Sequence, residues 1–296
     1  MNQILLYCPY TQICYTGIRC TAETKNTPER TRNENNRFAM LNIQMFQGWN
    51  LTLKNFLLPM YCRECGERLL TEENCFFCPD CWESSPRIER PFCTGCGKPH
   101  QRMVGLGALS NYPCADCREA PNRFIRRTFG AAYYDGTISA AIRIFKFQKK
   151  RSLKNPLAAL MLDFAFQEMN EEHYDFLVPV PLYRTRLRER GFNQSLELTE
   201  LLLEAFPEAI LDESLVRIRP TPAQSSLVSS ERARNVRGAF AVKGDLCKGK
   251  RILLIDDVIT TGETTTECAR ALKRAGALSV DAFAAALACP VPRFDL

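Results

Sequence analysis

An α/β domain with a mainly parallel sheet, preceded by a small Cys-rich module, is the architecture this sequence predicts. Three observations carry that reading. From Phe129 onward, short apolar runs alternate with helical patterns. Between residues 61 and 120, eight cysteines fall into four Cys-x-x-Cys pairs. Near the far end, Ile252 to Thr264 joins an apolar strand, two carboxylates and a hydroxyl-rich glycine turn in one line.

Residues 1–44 are polar, rich in Asn, Thr and Arg, and without periodicity. They read as disordered, or as an extension foreign to the natural product, given the internal methionines Met40, Met45 and Met60. Residues 45–60 read as a short lead helix: Trp49, Leu51, Leu53, Phe56, Leu57 and Leu58 supply an apolar face to pack on the first ribbon or to dock a partner.

Residues 61–120 hold Cys62 with Cys65, Cys78 with Cys81, Cys93 with Cys96, and Cys114 with Cys117. Two thiolates from one tight knuckle cover half of a tetrahedral shell and a second knuckle closes it, so four pairs predict two structural zinc ions. Cys75 with Cys78 has the same spacing as Cys78 with Cys81; Pro79, which tightens the turn, and Trp82, a packing residue, favour the latter. Disulfides would require an oxidising compartment, and Met1 to Cys20 shows neither a basic leader nor a small-residue cleavage site. With few apolar side chains, the segment is expected to need metal in order to fold. The other cysteines, among them Cys247, Cys268 and Cys289, read as spectators or small buried residues.

An Arg-rich linker, 121–128, leads into the α/β domain, 129–296. Its expected elements are Phe129 to Tyr134, Ile138 to Phe147, Leu153 to Met169, Phe176 to Val180, Ser195 to Ala205, a strand over Arg251 to Ile255, and a helix over Thr265 to Ala275 closed by Gly276. Between strand and helix, unpaired backbone N–H groups and a positive helix end suit a phosphate. Gly262 allows close approach, while Thr260, Thr261 and Thr264 offer hydroxyls. Asp256 and Asp257, at the strand's carboxyl end, can accept from ribose hydroxyls and hold a hydrated magnesium.

Two more segments point at the same crevice. Arg184, Arg186, Arg188 and Arg190 follow the strand Phe176 to Pro181, where Arg186 and Arg190 could grip a pyrophosphate. Arg219 to Phe240 is long, polar and poorly periodic, as expected of a hood over a substrate. A second basic group, Arg143, Lys146, Lys149, Lys150, Arg151 and Lys154, contributes to a formal charge of +6 that points to phosphate ligands, nucleic acid or both. No apolar run approaches the roughly 20 residues needed to cross a bilayer, so membrane insertion is not expected and the cytoplasm is the default location.

The stretch Asp256, Asp257, Val258, Thr260, Thr261, Gly262, Glu263, Thr264 closely resembles the phosphoribosyl pyrophosphate (PRPP) loop of type I phosphoribosyltransferases. With the cysteine pairs, Val178-Pro-Val-Pro, Arg190-Gly-Phe-Asn-Gln194, Gln224, Glu231-Arg232 and Asn235-Val236, the chain resembles the ComF family from about Tyr61 to Ala288. The resemblance implies a double zinc ribbon joined to a type I phosphoribosyltransferase fold, with zinc and Mg–PRPP as ligands. It also implies a link to natural competence, with single-stranded DNA and a helicase as partners; other members resemble a protein tied to carbon-source utilisation. One departure is that Phe147-Gln-Lys-Lys-Arg151 lacks the glycine often seen after the residue corresponding to Lys146.

An enzyme of this kind would hold the 5′-phosphate in Thr260 to Thr264, the ribose against Asp256 and Asp257, and the pyrophosphate on Arg186, Arg190 and Lys146. A nitrogen nucleophile would then displace pyrophosphate at the anomeric carbon. Nothing in the chain names that nucleophile, and His100 and His173 read as bystanders. A second reading is a nucleic-acid-binding accessory with Phe92, Arg102, Arg123 and Arg126 near the ribbons. In a third, the ribbons only stabilise the fold and join subunits into a homo-oligomer.

Overall fold

The structure is a computed structural model that describes residues 59–69, 76–100, 111–220 and 236–290. The lead helix over Phe46 to Leu58, Cys75, Arg102 and the middle of the hood, with Gln224, Glu231, Arg232 and Asn235, lie outside the described residues. The chain divides into two compact units, Met1–Asp80 and Cys81–Leu296.

In the smaller unit, strands β1 (Met60–Tyr61) and β2 (Arg68–Leu69) pair antiparallel, Met60 opposite Leu69. The knuckle between them closes by Gly66 N–H donating to Cys62 O at 3.0 Å and Cys62 N–H to Glu67 O at 2.8 Å. Gly66 takes φ 76, a left-handed conformation that side-chain-bearing residues rarely adopt. Helix α1, Pro79–Glu83, runs past the end of this unit at Asp80, and its buried Trp82 belongs to the larger unit.

The larger unit is built on five strands in the order β3 (Thr128–Tyr133), β9 (Ser279–Leu287), β8 (Arg251–Ile259), β4 (Phe176–Pro179) and β5 (Ile210–Leu211). All four pairings are parallel. Helices α3 (Gly136–Phe147), α4 (Lys154–Glu168), α6 (Gln194–Leu202) and α7 (Glu263–Arg274) cover it, with α2 (Ala115–Glu119) in the second ribbon and α5 (Arg184–Arg190) after β4. The hairpin β6 (Leu215–Arg217) and β7 (Phe240–Val242) packs against α7. Ile252 to Ile255 are fully buried, as a central parallel strand requires, and each such side chain contributes about 1.5–3 kcal/mol. The fold class is the one expected: a parallel α/β domain preceded by Cys-rich ribbons.

Three elements differ from the expectation. The arginine series is a helix, α5, closed by Gly191 at φ 84. Ser279–Leu287 is a second central strand although it is rich in alanine. β8 runs four residues beyond Ile255, because β9 continues beside it to the pair Ile259 and Leu287.

The second ribbon belongs to this unit and lies along the outer strand β3. Ile88 N–H donates to Ala131 O at 3.1 Å, Tyr133 N–H to Pro86 O at 3.1 Å, and Thr128 N–H to Gly95 O at 2.9 Å. An edge that would otherwise expose its ladder is thereby covered. Behind it, Phe92 meets Phe164 at 5.9 Å between ring centroids, and Phe164 in turn meets Phe129 and Phe283. On β9, the buried carboxylate of Asp281 accepts from Arg126 Nη2 at 2.6 Å, Tyr174 Oη at 2.8 Å and the Arg127 backbone at 3.2 Å. These donors compensate a charge that would be costly alone.

Candidate functional site

β8 and β4 stay in register only as far as Ile255 and Pro179, with Val180 N–H donating to Ile255 O at 2.9 Å. Beyond that point β4 turns into Pro181 and Leu182 while β8 continues, and an open cleft forms at the strands' carboxyl ends. Every residue expected to contact the sugar phosphate lines it: Lys146, Arg186, Arg190, Asp256, Asp257, Val258, Thr260, Thr261, Gly262, Glu263 and Thr264.

The carboxylates come first because they set the electrostatics. Asp256 Oδ1 accepts from Ser195 Oγ at 3.1 Å and from the Asp257 backbone N–H at 2.9 Å. Burial, then the charge of Asp257, push the Asp256 carboxyl up to about 7, against the pull of Lys146. Asp257, 3% exposed, is paired with Lys146 Nζ at 2.7 Å. Lys146 comes from the last turn of α3, so this cation is delivered by a helix packed on the sheet.

Helix geometry sorts the four arginines. In α5, residues four apart share a face, so Arg186 and Arg190 turn to the cleft together while Arg184 and Arg188 are exposed. Arg190 Nη1 donates to Gln194 Oε1 at 2.8 Å, and its guanidinium lies over the Phe147 ring at 5.3 Å. Burial lowers its pKa, and the nearby Asp257 and Asp256 act against that loss.

The loop ends in Gly262, which caps α7 at φ 78; its carbonyl accepts from Thr266 N–H at 2.8 Å and Thr265 Oγ1 at 2.9 Å. Thr261 Oγ1 donates to the Glu263 carboxylate. The first-turn N–H groups of this twelve-residue helix face the cleft mouth with the positive end of its dipole. At the corner lacking the family's glycine, Lys149 itself takes the left-handed conformation, φ 56.

Ser195, Gln194 and Arg217 also line the cleft and were given no role by the sequence reading. Ser195 and Gln194 sit at the start of α6, where a motif match named Gln194 without a role. Gln194 is 1% exposed, and its Nε2 makes no hydrogen bond among the described residues. Arg217 comes from β6, a strand too short to show periodicity, and lies over Phe240 at 5.2 Å.

The cysteines form two sets, Cys62, Cys65, Cys78, Cys81 and Cys93, Cys96, Cys114, Cys117, each with its sulfurs within 4.8 Å of one another. A tetrahedral zinc–thiolate shell has sulfur–sulfur edges of about 3.8 Å. Cys65 to Cys78 measures 3.7 Å and Cys96 to Cys114 measures 3.9 Å, so the donors fit zinc. Burial opposes ionisation of Cys62 and Cys93, yet backbone N–H groups aimed at their sulfurs bring both down to about 6. Cys114 N–H reaches Cys93 Sγ at 3.2 Å and Cys78 N–H reaches Cys62 Sγ at 3.4 Å. His100 takes no part; it stacks on Tyr112 at 3.9 Å.

Residues 53–118 match the double zinc ribbon domain. The chain is 31% identical over 197 residues to the DNA utilization protein YhgH of Escherichia coli (strain K12), covering 66% of this chain and 83% of that protein. It is 28% identical to competence protein F of Haemophilus influenzae, covering 68% and 92%, and 29% identical to competence protein ComFC of Bacillus subtilis, covering 70% and 82%. Among solved structures, a purine phosphoribosyltransferase from Pyrococcus horikoshii aligns with a TM-score of 0.29 at 15% identity, over 46% of this chain and 78% of that one. Fold and site define a class: two Cys-rich ribbons joined to a parallel α/β domain with a cleft at the carboxyl ends of its strands. The chain belongs to the ComF family, with the competence proteins as relatives. No helix among the described residues is long and apolar enough to cross a membrane.

Proposed function

We propose that this protein binds Mg–PRPP in the cleft and serves the handling of single-stranded DNA in natural transformation, in the cytoplasm and with a helicase partner. The observation that carries the ligand is the convergence of two carboxylates, a helix-capping threonine loop and three cations on one cleft. The 5′-phosphate would take the N–H groups and hydroxyls of Thr260 to Thr264, and the ribose diol the carboxylates Asp256 and Asp257. Arg186, Arg190 and Lys146 would meet the pyrophosphate. Lys146 now neutralises Asp257, and a bound diol would share that carboxylate with it.

Magnesium fits the oxygen donors present: Asp256 and Asp257 would hold its hydrated form, and it would supply charge neutralisation to the diphosphate. The two cysteine sets would each hold one structural zinc ion. The DNA half of the reading rests on the relatives, named for DNA utilization and competence.

A second reading, transfer of phosphoribosyl to a nitrogen acceptor, is favoured by Asp256, which lines the cleft with its carboxyl pushed up to about 7 by burial and by Asp257. The acceptor nitrogen would form the new bond to that carbon as its bond to the pyrophosphate oxygen breaks. The acceptor's proton would pass to Asp256 and pyrophosphate would leave onto the cations.

Calorimetry with Mg–PRPP on the intact protein and on Asp257→Asn tests the site. The substitution is expected to weaken binding by about 1–3 kcal/mol through loss of a charge-assisted hydrogen bond. Equal affinity in the two proteins overturns the assignment. Incubation of bound PRPP with bases and amines decides the second reading: no pyrophosphate release with any of them removes it.

A further inference from the structure

The segment Arg143 to Lys154 carries six cations and no acid, and only part of that charge is spent inside the fold. Lys146 pairs with Asp257, and Arg151 and Lys154 both pair with the buried Glu197. Those three bonds fasten the segment to the domain. Lys149 and Lys150 are exposed and make no ion pair among the described residues. Between the two groups stands Phe147, the last residue of α3, with 68% of its surface in water.

A single exposed apolar side chain is common, as at Ile210 and Leu246; what sets Phe147 apart is its cationic neighbours, which limit what its ring can receive. An apolar partner face would have to bury the lysines beside it at high cost. A strand of phosphates with unpaired bases would not, because the phosphates take the lysines while a base takes the ring. Arg190 lies over the Phe147 ring at 5.3 Å, fixing its orientation and adding a cation to the platform. The same guanidinium lines the sugar-phosphate cleft, so the ring stands at the cleft's mouth.

We propose that Phe147, flanked by Lys149 and Lys150 and backed by Arg190, is a base-stacking platform for single-stranded DNA at the mouth of the cleft. This rests on the DNA half of the function proposed above and names where the strand lies. Phe147 is exposed enough that its replacement leaves the core intact.

The test is fluorescence anisotropy of a labelled thymidine oligonucleotide with the full chain, across a salt series. Phe147→Ala is expected to weaken binding about 10-fold with an unchanged salt slope, and Phe147→Trp to restore it. Lys149→Ala with Lys150→Ala is expected to lower the log–log salt slope by about 1.4, or about 0.7 per phosphate contact. If the parent protein binds the strand and both Phe147 variants bind it equally, the platform is wrong and DNA handling stands. If the parent protein binds no strand at low salt, DNA handling falls as well. A duplex bound as tightly as the single strand overturns the platform, since paired bases cannot stack on it. A uridine oligonucleotide bound more tightly than the thymidine one reassigns the strand to RNA and overturns the DNA proposal.

Discussion

In the first zinc ribbon, the backbone bonds around Cys62 and Cys65 close within their own loop: Cys62 to Glu67, Gly66 to Cys62 and Arg63 to Phe76. In the second, the same kind of knuckle bonds outward, Gly95 O accepting from Thr128 N–H, while Pro86 and Ile88, on the connector between the two cysteine sets, bond to β3. Ligand chemistry alone does not separate them, since both sets bring a low-pKa thiolate, Cys62 or Cys93, to a tetrahedral spacing. What differs is the work the surrounding chain does. A metal site that shapes only its own loop is a module, whereas one whose loop completes a sheet edge is part of the domain's core.

The most forceful way to break this distinction is to remove one ligand from each site. Cys93→Ser is expected to release one equivalent of zinc and to cost the main unfolding transition about 3–5 kcal/mol, because the loop that covers β3 loses its shape together with its metal. Cys62→Ser is expected to release one equivalent of zinc and leave that transition within about 0.5 kcal/mol, because the backbone bonds around Cys62 stay within its own loop. Zinc content and calorimetric melting read both. Equal destabilisation by the two substitutions would erase the difference between the ribbons.

Phe92→Ala is the next largest test and keeps all eight thiols. Phe92 is buried against Phe164, whose ring also touches Phe129 and Phe283 in the sheet. Truncation should leave a cavity between ribbon and sheet and cost about 3 kcal/mol while zinc is retained. A loss below about 1 kcal/mol in urea unfolding would show that the backbone bonds to β3 dock the ribbon without help from the ring cluster.

The same contrast separates what was legible in the sequence from what was not. Spacing revealed both cysteine sets, because a knuckle is local and its ligands lie a few residues apart. The loop from Asp256 to Thr264 was legible for the same reason. Partnership with β3 was not, since a bridge between Arg87 and Ala132 leaves no mark on either segment alone. Ser279–Leu287 was missed because four of its nine residues are alanine, a poor strand former; burial between β3 and β8 overrides that preference. Arg186 and Arg190 were singled out from the strand end they follow, but the reason they part from Arg184 and Arg188, the 3.6-residue turn of α5, was not visible. Arg217 reaches the cleft from β6 across a long sequence separation, beyond the reach of any local pattern.

The smallest expected effect sharpens the account of docking further. Arg90 Nε donates to both oxygens of Glu168, at 2.9 and 2.7 Å, and so ties the second ribbon to the end of α4. In distance this is one of the best bonds between ribbon and helix, yet the arginine is half in water. Solvent screening and the entropy of holding a long side chain should leave it worth about 0.2–1 kcal/mol, and less as salt rises. Arg90→Ala is therefore expected to shift urea unfolding only slightly and to lose even that shift at high salt. Were it to match Phe92→Ala at every salt concentration, charge and not the buried rings would seat the ribbon, and its coupling to the core would follow ionic strength in place of zinc.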